Sequence, residues 1–157
     1  MIALLFELAG RGLFPGYRFF GLSQRDTYDA RAAILRDEED PEEVFNVTDE
    51  SNLQIVEFKK TAASVISDFA RNQKSPGTID LVVAWDEGVP PVGQFGFDNI
   101  ESSRAYEASP RRVFPRAQRY IEDMRTGDQV QVLLLQPLLA GIKEAGSIDA
   151  FLGSEDT

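Results

Sequence analysis

The chain has 157 residues, 43% of them hydrophobic and 27% charged, with a net charge of −10 at pH 7. That size suits one domain with its own core, and the acidic balance argues against a free-standing, non-specific nucleic-acid binder, whose affinity comes from basic side chains on phosphates. With no Cys and no His, disulfides, zinc–thiolate sites, imidazole ligands and a His-based triad are excluded, so any metal must be held by oxygens, which favours Mg2+ or Mn2+ over zinc.

Ile2 to Ala9 reads as a short apolar helix stopped by Gly10 and Gly12. It lacks the basic start of a signal peptide, and no later run is long and apolar enough for a membrane span. With the lack of cysteine, this predicts a cytoplasmic protein that does not enter membranes. The helix begins so near Met1 that no cap precedes it, which predicts a piece of a longer protein. Phe14-Pro15-Gly16 is a turn signal. Tyr17 to Leu22 reads as a strand and Tyr28 to Leu35 as a second, joined through the polar turn Gln24-Arg25-Asp26 as a hairpin. Asp29 stands at the start of the second strand. Asp26 is the competing acid, but a turn aspartate usually bonds its own backbone. The acid run from Asp37 to Glu43, broken by Pro41, predicts a solvated hairpin loop. Val44 to Val47 reads as a strand edge, and Asp49 to Asn52 as a turn.

The run Leu53-Gln54-Ile55-Val56-Glu57-Phe58-Lys59-Lys60 reads as a buried strand. Side chains alternate along a strand, so Glu57 and Lys59 share one face while Phe58 and Lys60 take the other. Ala62, Val65, Ile66, Phe69 and Ala70 then recur at helical spacing. Ile79 to Trp85 is almost continuously apolar, as in a central strand covered on both faces. Strand, helix and strand in that order predict a parallel crossover. Residues 86–115, with Pro90, Pro91, Pro110 and Pro115, receive no assignment, although a structureless loop of that length is unusual. Arg111, Arg112, Arg116, Arg119 and Arg125 concentrate positive charge there and just beyond. Two readings stay open for them: surface partners for the excess acids, or a strip that contacts phosphates. Val130 to Leu135 reads as another strand. Pro137 opens a helix that Gly146 ends, and residues 154–157 read as a polar terminus. No glycine-rich phosphate-cradling loop is present.

A Glu and a Lys two apart at the end of a buried strand, with an upstream Asp at the start of the preceding one, resemble the PD-(D/E)-x-K nuclease superfamily. Here the residues are Glu57, Lys59 and Asp29. The resemblance covers roughly residues 2–85, through the order helix, strand, strand with Asp, strand with Glu-x-Lys, helix, strand. A narrower similarity is to the C-terminal domain of bacterial GHKL-type ATPase proteins, carried by Tyr28-Asp29-Ala30, Glu57-Phe58-Lys59 and the Ile79–Trp85 run. The Asp lacks a preceding proline, so the first half of the motif is degenerate.

The resemblance implies an α/β fold with a restriction-endonuclease-like core, a mixed central sheet flanked by helices in a single domain. It implies hydrolysis of phosphodiesters, DNA in the first instance, with Mg2+ or Mn2+ held by Asp29, Glu57 and the Phe58 backbone carbonyl. Lys59 would orient or deprotonate the attacking water. Glu7 would be the accessory carboxylate that many members bring from their first helix. Lys60, Arg111, Arg112, Arg116 and Arg119 would contact the nucleic acid. A further ATPase domain or subunit is the implied partner, and a homodimer is compatible. Two other readings stand beside this one: a nuclease-like module without activity that binds DNA or protein or dimerises, and an unrelated α/β domain in which Glu-x-Lys is a surface accident.

Overall fold

The computed structural model describes residues 1–22, 28–37, 39–46, 53–91 and 93–155. Among these, seven strands form one mixed sheet. They are β1 (Tyr17–Leu22), β2 (Ala30–Ile34), β3 (Gln54–Thr61), β4 (Leu81–Asp86), β5 (Phe95–Asn99), β6 (Arg119–Asp123) and β7 (Gln129–Leu134). Their spatial order is β1-β2-β3-β4-β7-β6-β5. The pairs β1/β2 and β2/β3 are antiparallel, β3/β4 and β4/β7 are parallel, and β7/β6 and β6/β5 are antiparallel. The two apolar runs therefore lie side by side near the middle of the sheet. Leu81 to Ala84 are fully buried, which explains why β4 shows no polar alternation.

Helices cover both faces. On one, α1 (Ile2–Gly10) and α5 (Leu135–Ala145) bring Leu5, Leu8 and Leu138 against Val56, Phe58, Leu81 and Val83. On the other, α3 (Ala62–Ala70) brings Ala62, Val65, Ile66 and Phe69 against Val82, Ala84 and Val132. These α3 residues follow the spacing that builds one apolar stripe. α3 follows β3 without a loop because Thr61 caps it, its side chain accepting a hydrogen bond from Ser64 N at 3.1 Å. At its far end Asn72 takes a left-handed φ of 55°. Asn72 N donates to Phe69 O, and Gln73 N to Asp68 O. This is a Schellman turn with asparagine at the left-handed position, and it directs the chain back toward the sheet.

Several expectations are corrected. The acid run is not all loop: residues 41–45 form α2 (Pro41–Phe45), with Asp40 accepting from Glu42 N at 2.8 Å. An aspartate N-cap followed by proline is a helix start whatever the surrounding charge. Val44 lies in that helix and not in a strand. The unassigned 86–115 stretch holds β5, α4 (Arg104–Ala108) and the 3-10 turns Ile100–Ser102 and Pro110–Arg112. Ser154 and Glu155 of the expected polar terminus belong to α6 (Ile148–Glu155), and residues 156–157 lie outside the described residues. α6 crosses α5 so closely that a Cβ on Gly141 would lie 2.7 Å from the Phe151 ring. The expected turns at 24–26 and 49–52, the competing acid Asp26, and Val47 lie outside the described residues.

Candidate functional site

β2 pairs with β3 only from Ala30 opposite Val56 to Ala32 opposite Gln54, while β3 runs on to Thr61. One step beyond the last pair, Asp29 and Glu57 come next on their strands. Asp29 Oδ2 accepts a hydrogen bond from Phe58 N at 2.8 Å. The carboxylate thus takes the ladder partner that β2 no longer supplies. In an extended strand the N–H and C=O of one residue project to the same side. The Phe58 carbonyl therefore faces this same margin of β3. On the opposite margin Asp80 clamps the start of β4, Asp80 Oδ2 accepting from Ile55 N at 2.7 Å while Asp80 N donates to Ile55 O.

Alternation places Glu57 and Lys59 on the α3 face and Phe58 in the opposite core. Glu57 is 0% exposed. Its Oε1 lies 3.3 Å from Lys59 Nζ and also accepts a hydrogen bond from Lys74 Nζ. Its Oε2 is buried with no hydrogen-bond partner among the described residues. Lys59 Nζ is held on its other side by Asp68 Oδ2 of α3, at 2.8 Å. Burial alone pulls the Lys59 amine pKa down. The hydrogen bond and charge of Asp68, followed by Glu57, outweigh burial and raise it above the ordinary lysine value. Lys59 is therefore a fixed cation at neutral pH.

Sequence reasoning missed Lys74 and the pairing of Asp68. Asp68 stood on the polar side of the helix pattern, and that side faces Lys59. Lys74 is seventeen residues from Glu57 and reaches it only because the Schellman turn reverses the chain. Lys74 Nζ also lies 5.7 Å from the centre of the Tyr28 ring, and the Tyr28 hydroxyl donates to Thr78 Oγ1 at 2.7 Å. A fully buried carboxylate needs counter-charges. That requirement is the one signal that would have prompted a search for a second amine.

The other candidates lie elsewhere. Glu7 is on α1, which packs on the face opposite Glu57, and pairs with Arg11 at 2.7 Å in solvent. An exposed position on the far helix layer keeps it from the Glu57 carboxylate. Lys60 is exposed on the Phe58 side of β3. Arg111 and Arg112 border a cleft with Arg36 beyond the Ile34 end of β2, away from Asp29. Arg116 lies over the Phe151 ring at 5.4 Å, and Arg125 pairs with Asp123 at 3.4 Å. Arg119 is in register with Glu57 through Val82 and Val132, three strands away. It stacks on Phe97 at 4.6 Å and forms an ion pair with Glu87 at 3.1 Å that lacks hydrogen-bond alignment. Arg116 also lines a depression that meets the Arg111–Arg112 cleft at Asp37, while Arg119 and Arg125 make their contacts elsewhere.

Asp29 and the Phe58 carbonyl are hard oxygen donors on the margin of β3, Glu57 offers a third on the adjoining α3 face, and its Oε2 is a buried acceptor without a partner among the described residues. That donor set fits a divalent cation such as Mg2+ or Mn2+. Among the described residues, no group of three or more acidic side chains gathers to hold a metal, so a cation would rest on two carboxylates and backbone. Also among the described residues, no helix is long and apolar enough to cross a membrane. Comparison with protein-family models, with curated proteins and with solved structures finds no match for this chain.

Proposed function

We propose that the chain is a Mg2+- or Mn2+-dependent nuclease domain that hydrolyses phosphodiester bonds in DNA, in a cytoplasmic setting and within a larger ATPase-containing protein. The observation that supports this reading is that Asp29 bonds the Phe58 amide, next in the chain to Glu57, while Glu57 contacts Lys59 on the α3 face. The order α1, β1, β2, the short α2, β3, α3, β4 supports a restriction-endonuclease-like core, with three antiparallel strands and β4 parallel to β3. Asp29, Glu57 and the Phe58 carbonyl would hold the cation, which when bound supplies Lewis-acid activation of phosphate and water. Lys59 is raised in pKa by Asp68 and Glu57 despite its burial. Its part is therefore that of a fixed positive charge, which positions the attacking water and offsets negative charge growing on the phosphate.

A second reading is a nuclease-like module without activity, which binds DNA or protein or dimerises. The complete burial of Glu57 beneath two amines favours it. Plasmid nicking with Mg2+ separates the two. For an active domain, Lys59→Ala lowers the rate by about 100-fold, the scale for losing a positioned charge. Lys60→Ala, on the other face of β3, stays near wild type. Equal nicking by Lys59→Ala and wild type would remove Lys59 from the mechanism. DNA binding without nicking in every variant would establish the inactive module.

A further inference from the structure

Glu57 is sealed from solvent, and its only unused oxygen is buried. A cation therefore reaches this carboxylate only if a side chain covering it moves. Two amines bond its other oxygen, Oε1. Lys59 is anchored from behind by Asp68 at 2.8 Å. Lys74 has no second anion among the described residues, and its other contact is the face of Tyr28. It also sits on the short connection between the Schellman turn and the 3-10 turn Pro76–Thr78, and not on a helix or strand. Charge points the same way. Asp29, Glu57 and Asp68 against Lys59 and Lys74 leave one negative charge, and exchanging Lys74 for a divalent ion leaves none. Keeping both would set two ammonium groups beside a doubly charged ion in a poorly solvated space, where repulsion is strong, whereas losing Lys74 leaves only Lys59, whose charge Asp68 offsets.

We propose that Lys74 is a tethered counter-cation of Glu57 that a divalent ion displaces, so that metal binding is coupled to release of the 71–78 connection. This rests on the metal-site reading above. Without a metal the amine supplies the counter-charge of the buried Glu57 carboxylate, and the metal competes with it.

The test uses the whole chain and Mn2+ alone, with free Mn2+ followed by electron paramagnetic resonance. Lys74→Gln keeps a hydrogen-bond donor for Glu57 and removes the charge. It is expected to bind Mn2+ about tenfold more tightly than wild type or better, given the repulsion removed. Adding Glu57→Gln to it should abolish binding. A second measurement needs no variant: in wild type, Mn2+ should increase reductive methylation of Lys74, while exposed Lys143 stays unchanged as the internal control. Mn2+ binding of equal strength in wild type and Lys74→Gln, with Lys74 labelling unmoved, overturns the displacement and leaves the metal site standing. No Mn2+ binding by either protein overturns the metal site, and the displacement with it.

Discussion

Lys59 joins two carboxylates on different elements, Glu57 beside it on β3 and Asp68 on α3, and this gives it a pH signature. Its folded-state pKa is raised above the ordinary 10.5. A raised amine pKa contributes stability that is fully present below the unfolded value and is lost as pH rises through the folded value. The stability difference between wild type and Asp68→Asn should therefore hold steady from pH 7 to about 10 and shrink only above 10.5. Urea melts across that range measure it, and a difference that already fades near pH 8 would show that Lys59 titrates early. At this scale the sequence was partly transparent. Period-two alternation is enough to put Glu57 and Lys59 on one face and Phe58 on the other. The sealing of the Glu57 carboxylate was not readable, because whether a polar side chain on a strand meets solvent or a helix depends on what folds over it. Glu57 and Lys74 are seventeen residues apart, and no local pattern links them.

The end of α3 is the element that brings Lys74 home. Asn72 at φ 55° carries the left-handed residue of the Schellman turn. Most side chains pay about 1 kcal/mol or more to enter that region, and Gly pays almost nothing. Asn72→Ala should cost about 1 kcal/mol in urea melts, while Asn72→Gly should be close to neutral. Equal losses would place the stability in the asparagine side chain and not in the backbone turn. Elements of ordinary length with a strong apolar pattern, β3, α3, β4, β7 and α5, are legible in the sequence because each buries a continuous apolar run or stripe. The illegible ones are short or mixed. α2 has five residues and no buried side chain, so charge dominates its pattern. β5 is a five-residue strand with a glycine at its second position, set among prolines. β6 carries Arg119, Glu122 and Asp123 around a buried Tyr120 and Ile121, which hides its apolar centre.

Across the whole molecule, the most enclosed backbone is that of β4, paired on both edges and covered on both faces. Its Val82 to Ala84 amides should be among the slowest to exchange in deuterated buffer, close to the limit set by global unfolding. Fast exchange there would mean that the C-terminal half separates from the rest below that limit. The sheet also holds its strands in a different sequence from the one in which the chain delivers them. β7 comes last, yet it inserts between β4 and β6. A growing chain can zip β1 to β4 together as they emerge, but β5 and β6 have nowhere to dock until β7 arrives. Until then the outer edge of β4, Leu81 to Ala84, stands open as an apolar, unpaired template of the kind that recruits strands from other molecules. The order of synthesis thus leaves a window of vulnerability to aggregation, and it closes only when the final strand slides into the gap kept for it.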